Sequence, residues 1–391
     1  MTAVIVSAVR TPIGSLNGSL SSFSAPRLGS VAIAEAVKRA GLTGDQVDEV
    51  IMGTVLAGGQ GQAPARQASL GAGLSPSVGC VTINKVCGSG LKAVMLAAQA
   101  IRSGDVQIVV AGGMESMTNA PYLLEKARSG YRMGHGTLVD SMIKDGLWDV
   151  YNDLHMGSAA ELCAEEFNIS RKDQDDFAVS SYLRAQTAQR SGGFAKEIVP
   201  LPVLQKGSEA KLVVEDEEIK KFDGDKLRAL KPAFKAEGTV TAGNASSVSD
   251  GAAALVVMSE EKAKALGLKP LARIAGWSGF AREPEWFTIA PAEAIGALLK
   301  KTGHSPEDVD LFEINEAFAV ASIAVNRKLG LNLEKVNVKG GAVALGHPIG
   351  ASGARILTTL IHSLIDLDKQ RGIASLCIGG GEALSLMVER V

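Results

Sequence analysis

Four short segments carry residue types that can do covalent or proton-transfer chemistry. Asn84-Lys85-Val86-Cys87-Gly88-Ser89-Gly90-Leu91 places a cysteine between a strand-like run and a helix start. There, backbone N–H groups and the positive end of a helix dipole are expected to lower the thiol pKa and favour a nucleophilic thiolate. Gly88 and Gly90 are expected to let a substrate approach the backbone. An inert buried cysteine at a tight turn fits the segment equally well. Gly346-His347-Pro348-Ile349-Gly350-Ala351-Ser352-Gly353 holds a histidine on an irregular loop feeding a helix, where a general base can be held rigidly. Taken alone, such a histidine is more often structural or solvated. Cys377-Ile378-Gly379-Gly380-Gly381, read as the end of the last buried strand, offers a second thiol beside free N–H donors. Alone, it is a core cysteine. Asn315-Glu316-Ala317-Phe318-Ala319 follows the strand-like Asp310–Ile314, and Asn315 could simply cap the next helix.

A rival reading exists for the first segment. Gly88-Ser89-Gly90-Leu91-Lys92-Ala93 satisfies the G-x-G-x-x-A dinucleotide pattern, with Glu115 near the place of a ribose-binding acid. Against it, the motif opens deep in the chain, and phosphate binding needs no cysteine.

These segments must be positioned by alternating strands and helices. Val4-Ile5-Val6 reads as a first strand, Ile33–Ala40 as a helix, and Val50–Val55 as a strand. Val81–Val86 follows as a strand, Leu91–Arg102 as a helix, and Ile108–Ala111 as a strand closed by Gly112-Gly113. The expected class is α/β with largely buried sheets. Two stretches also match: Val81…Ser89-Gly90…Gly112-Gly113-Met114-Glu115 parallels Val336…Ser352-Gly353…Gly379-Gly380-Gly381-Glu382. Copies this long indicate a duplicated domain rather than a solenoid. Between them, a region with the acid-rich run Glu215–Glu218 and few strand-like stretches reads as an insertion. The expected units are residues 1–119, an inserted loop domain 120–238, and 239–391.

Composition narrows the classes. The 391 residues are 46% hydrophobic and 21% charged, enough for two or three folded domains. Lys+Arg 40 against Asp+Glu 42 gives a net charge of −2, which argues against a nucleic-acid or membrane-surface protein. Cys80, Cys87, Cys163 and Cys377 form no disulfide framework and no CxxC pair, pointing to a reducing compartment. No apolar run approaches the ~18–20 residues of a membrane span. The N-terminus has no basic segment of a signal peptide, so a cytoplasmic protein is expected.

Together, the segments around Cys87, Asn315, His347 and Cys377 resemble the thiolase family. So do Arg10-Thr11-Pro12, Gln62–Gln67, Ala111–Ser116, His155-Met156-Gly157 and Gly243-Asn244-Ala245-Ser246. The motifs occur in order across essentially the whole chain. Trp148–Gly157 and Glu283–Pro291 look like the acetoacetyl-CoA branch, particularly its potassium-dependent mitochondrial type. Glu382-Ala383 departs from the family, where many members carry an apolar residue and glycine.

The resemblance implies a five-layer αβαβα sandwich of two duplicated halves with an inserted loop domain. It implies reversible Claisen condensation of two acetyl-CoA to acetoacetyl-CoA and CoA, with 2-methylacetoacetyl-CoA also accepted. Cys87 would be the nucleophile, His347 its base and Cys377 the acid/base for the carbon acid. Asn315 would hold a water at the enolate, and the N–H groups of Cys87 and Gly379 would form the oxyanion hole. No tightly bound cofactor is expected. CoA, as cosubstrate, would meet His155, Tyr182, Lys221, Phe222, Asp223, Lys226 and Ser246. Potassium would lie near Tyr182, Ala242, Gly243, Ala245 and Val343. A homotetramer, a dimer of dimers, is expected. A broader-chain 3-ketoacyl-CoA thiolase of β-oxidation is the alternative. A decarboxylating ketosynthase-like relative is disfavoured by Cys377, and a non-enzymatic acyl-CoA carrier would not need the four residues together.

Overall fold

The computed structural model describes residues 1–204 and 210–391. The first strand, β1 (Ala3–Arg10), is followed by helix α1 (Ala25–Arg39), β2 (Glu49–Gly53), β3 (Gly79–Ile83), helix α2 (Ser89–Ser103) and β4 (Ile108–Ser116). After the insertion, with its helices α3 (Met156–Glu166) and α4 (Arg171–Arg190), come β5 (Ser249–Ser259), β6 (Ala272–Ala281) and α5 (Ala290–Thr302). Then follow β7 (Leu311–Ile314), α6 (Ala319–Leu329), α7 (Ile349–Asp366), β8 (Arg371–Ile378) and β9 (Glu382–Arg390).

The strands run in the order β7-β8-β9-β6-β1-β5-β4-β2-β3, with the short Gly14–Ser15 strand added on β5. Among the described residues, two register pairs, Val4 with Arg273 and Ile5 with Ala272, join the two halves of this sheet. Strands β1, β4, β5 and β8 are buried on both sides almost throughout. In β5, Ala252, Ala254, Val256 and Met258 pack with α1, while Ala253, Leu255 and Val257 face the central helices. Helices α2 and α7 fill the space between the half-sheets, and α5 and α6 cover the far side of β7, β8 and β9. The result is helix, sheet, helix pair, sheet, helix. These are the five layers that the resemblance implied.

The repeat meets itself at the centre. A Cβ on Gly90 would sit 2.7 Å from the Ala354 nitrogen, and one on Gly353 would sit 2.4 Å from the Leu91 nitrogen. The matched Ser-Gly pairs therefore exist to let α2 and α7 touch backbone to backbone.

Several boundaries differ from the sequence reading. Helix α1 starts at Ala25 rather than Ile33, because Ser24 caps it and Pro26 fits its first turn. Gly112 and Gly113 do not close β4. The strand continues to Ser116, and the glycines lie where a Cβ would strike the Ala253 and Gly350 carbonyls, each at 2.0 Å. The strand expected from Val81 to Val86 ends at Ile83. The strand expected at Val336 is a single bridge to Phe312. Cys377 is not on the last strand, since β9 follows it across a turn. Strand β5, assigned to the C-terminal unit, pairs with β1 and β4, so chain from beyond the insertion completes the first half-sheet. Long-range pairing of this kind leaves no local signature.

The insertion is tied to the scaffold through charge. Arg10, fully buried at the end of β1, donates Nε to Glu197 at 2.6 Å and both terminal nitrogens to Asp216 at 2.7 and 2.9 Å. The acid-rich run is thus partly internal rather than a solvated face. Among the described residues, no helix is long and apolar enough to cross a membrane.

Candidate active site

Cys87 sits in the turn between β3 and α2. Asn84 Oδ1 accepts the Val86 N–H at 2.9 Å, Ser89 Oγ accepts the Lys85 N–H at 2.8 Å, and Ser89 in turn donates to the Val86 carbonyl at 2.7 Å. These bonds hold Val86 at φ 46°. A β-branched residue there stores on the order of 1–3 kcal/mol of strain, a cost typical of sites that must aim a side chain. Gly88 and Gly90 serve protein packing rather than a ligand, because a Cβ on Gly88 would meet Ile378 Cδ1 at 2.5 Å.

The thiol pKa is the reverse of the expectation. Burial pushes Cys87 up to about 11, against the lowering effect of the Gly379 and Cys87 N–H groups aimed at the sulfur. Desolvation outweighs the helix start. The resting nucleophile is a neutral thiol, and those two N–H groups are placed to hold an oxyanion formed there.

His347 lies between the short helix Ala342–Leu345 and α7, anchored by its N–H to the Ser247 carbonyl at 3.1 Å. Its Nδ1 is 2.6 Å from Ser352 Oγ, whose own hydrogen goes to the Pro348 carbonyl at 2.9 Å. Ser352 must then accept Nδ1–H, which leaves Nε2 as the free base. Burial, reinforced by the nearby Arg355 charge, lowers the imidazole pKa to about 3. His347 is therefore neutral and ready to take a proton. Asn315 Nδ2 is 3.5 Å from both ring nitrogens, too long for a strong bond to either, so it can donate to a third atom.

Cys377, at the end of β8, is buried beside Cys87, and burial reinforced by that neighbour raises its pKa strongly. It packs with Met156, Phe287 and Phe318. Cys87, His347 and Gly379 line one cavity of about 310 Å³, together with His155, Ser246, Phe287 and Phe318. Larger clefts of about 600 and 880 Å³ beside α4 hold no thiol or imidazole, so size alone does not select the site.

The other expected ligand residues divide. His155, which lines the cavity, caps α3 by accepting the Gly157 N–H on Nδ1 at 3.0 Å and stacks on Phe234, so its hydrogen is on Nε2. Ser246 lines the same space. Tyr182 and Phe222 stack on each other, 4.6 Å between centroids, outside the cavity wall. Lys221 pairs with Glu218, while Asp223 caps the helix Gly224–Ala229 and holds Lys226 at 3.3 Å. Of the residues expected at potassium, Tyr182 and Val343 pack around Leu227, which also abuts Gly243. Ala245, from the same loop as Ala242 and Gly243, lines the catalytic cavity.

Two carboxylates that hold the site were missed as such. Glu115, considered above for a ribose, is fully buried and accepts from Thr54 Oγ1 at 3.0 Å and from the N–H groups of Val55, Leu56 and Gly350 at 2.9, 3.2 and 2.9 Å. No acceptor remains for a nucleotide, and the dinucleotide reading is removed. Glu316 accepts from Ser181, Asn337 and the Val343 N–H at 2.7, 2.9 and 3.2 Å, joining the insertion to the His347 loop. The signal available was an acid next to each motif; its partners lie far off in sequence.

Comparison with known proteins gives the family. A family model described as the thiolase N-terminal domain matches residues 3–261, and one described as the thiolase C-terminal domain matches residues 268–390. Acetyl-CoA acetyltransferase 2 of Arabidopsis thaliana is 56% identical over 387 residues, 98% of this chain and 96% of that protein. The acetyl-CoA acetyltransferase of Schizosaccharomyces pombe is 53% identical over 99% of this chain and 98% of its own length. The crystal structure of the Bacillus anthracis acetyl-CoA acetyltransferase superposes with a TM-score of 0.97 at 44% identity, covering 100% of this chain and 99% of that one.

Proposed function

The chain belongs to the thiolase family, and from that premise we propose that it is an acetyl-CoA C-acetyltransferase acting through an acetyl-Cys87 intermediate. The observation that carries this is that the Cys87 thiol, a neutral imidazole and two N–H donors meet at one small cavity, with the buried Cys377 thiol beside Cys87 behind its wall.

The protons balance in the thiolysis direction. Cys87 gives its proton to His347 Nε2 as its sulfur attacks the 3-keto carbon, and the oxyanion is held by the N–H groups of Cys87 and Gly379. The carbon–carbon bond breaks, and the acetyl-CoA enolate, its oxygen facing His347 and the Asn315 amide, takes the Cys377 proton. His347 passes the proton it holds to the Cys377 thiolate, then takes the proton of free CoA as the CoA sulfur attacks acetyl-Cys87 and gives it to the departing Cys87 sulfur. A high thiol pKa suits Cys377, because its conjugate base must compete for a carbon-bound proton. CoA-dependent loss of acetoacetyl-CoA with formation of two acetyl-CoA tests the reading; no turnover would refute it. A chain-length series separates it from the broader-chain alternative, with turnover falling beyond four carbons as the expected result.

Phe287, buried at the cavity wall and edge-on to Phe318, sets room at the substrate α-carbon. We expect 2-methylacetoacetyl-CoA to be cleaved as well; turnover of the plain substrate alone would exclude this.

Potassium is proposed near Tyr182, Ala242, Gly243, Ala245 and Val343, where irregular backbone can offer carbonyl oxygens between the insertion and the His347 loop. Replacing potassium by sodium is expected to raise KM for the CoA substrate, and equal kinetics in both salts would count against the site. CoA contacts at Tyr182, Lys221, Phe222, Asp223 and Lys226 are proposed from the same family match. A tetramer is proposed as well, supported by the edge strand β3 with its exposed Val81. The four free cysteines support a reducing, cytoplasmic setting.

A further inference from the structure

We propose that Arg355 is a positioning residue that fixes which end of the Asn315 amide faces the reacting atoms. The proposal rests on the reading above, in which Asn315 serves the enolate.

One face of α7 is directed at the site. Ser352 reaches His347, and Arg355, three residues on and hence on the same face, donates Nη2 to Asn315 Oδ1 at 3.4 Å. Arg355 is a guanidinium only 2% exposed, and its counter-charge is poorly matched. Glu313 Oε2 lies 3.8 Å from Nη1, while Nε, Nη1 and Glu313 Oε1 have no hydrogen-bond partner. A pair built for stability would be bidentate and fully bonded. What the guanidinium does contact is the Asn315 oxygen.

Glu313 and Asn315 are two residues apart where β7 ends, so both project to the side occupied by Arg355. An amide is nearly isosteric when flipped, with a donor at one end and an acceptor at the other. Beside His347, a flipped Asn315 would aim lone pairs at an oxygen gaining negative charge. It would also press its own N–H groups against a cation. Arg355 removes that second state. The selected orientation matters for the enolate step and not for acetyl transfer to Cys87, whose oxyanion is held by backbone N–H groups.

The experiment compares two reactions of one enzyme: exchange of labelled CoA into acetyl-CoA, and thiolysis of acetoacetyl-CoA. Arg355→Met combined with Glu313→Gln removes the buried guanidinium together with the carboxyl group that faces it. The double variant is expected to keep exchange within about threefold and to lose on the order of 10² in thiolysis kcat with little change in KM. In an Asn315→Ala background, the same pair of changes is expected to remove less than about threefold more. Arg355→Lys keeps the charge opposite Glu313 but lacks the fork, and is expected to fold and show the same split at about tenfold. Equal losses in both reactions for the folded variants, or full additivity with Asn315→Ala, would overturn the proposal. Failure of the unmodified enzyme to exchange CoA would instead count against the proposed function.

Discussion

Cys377→Ala is expected to leave CoA exchange into acetyl-CoA largely intact while thiolysis and condensation fall by about 10²–10⁴, the usual size of a lost general acid or base. The split follows from position. Cys377 lies beneath the cavity, packed against Met156 and Phe287, and is needed only when a carbon must gain or lose a proton. Cys87 stands at the N–H pair and carries the acyl group, so Cys87→Ala is expected to abolish exchange and turnover together. If both thiols were core filler, either change would cost some stability and leave kinetics near normal. Parallel exchange and thiolysis assays on the two variants distinguish these outcomes.

His347→Asn is expected to lower both half-reactions, by at least about 10², because the same Nε2 takes the Cys87 proton and faces the enolate. The pH dependence should change character. In the unmodified enzyme, a base near pKa 3 and a thiol near 11 place both limbs outside the neutral range, so exchange varies little across it. Without the imidazole, the reactive species is the rare thiolate. Its population rises about tenfold per pH unit below the thiol pKa, so residual exchange should climb steeply with pH. The lowered imidazole pKa also has a stability consequence. The unfolded chain takes up a proton near 6.5 that the native state refuses until about 3, so the unmodified protein should lose stability as pH falls through that window. His347→Asn should blunt this loss, as measured by denaturant unfolding between those pH values. An unchanged exchange profile in the variant would remove His347 from the first step.

Much of this was legible before the structure because the chemistry is carried by short segments. Cys87 before a helix, His347 between glycine and proline, and Cys377 before three glycines each hold their geometry locally. The matched Ser-Gly pairs announced the duplication. What stayed hidden depends on distance. The sign of the Cys87 shift is set by packing from β8, β9 and α7, which no window around residue 87 contains. Gly88 and Gly90 look free for a ligand until Ile378 and Ala354 are brought against them. Glu115 finds its donors at residues 54–56 and 350, and Arg10 finds its acids within the insertion. Strand β5 joins the first half-sheet after an excursion that sequence continuity assigns to the second.

The most direct test of acyl transfer through Cys87 is acetyl trapping. Cys377→Ala enzyme is mixed with acetyl-CoA carrying a labelled acetyl group, separated from free nucleotide, digested and mapped. The expected result is one stable label per chain on the peptide containing Cys87, released by added CoA and absent when Cys87 is also replaced by alanine. Label that persists after Cys87→Ala, or none on the Cys377→Ala enzyme, would contradict covalent transfer through this thiol.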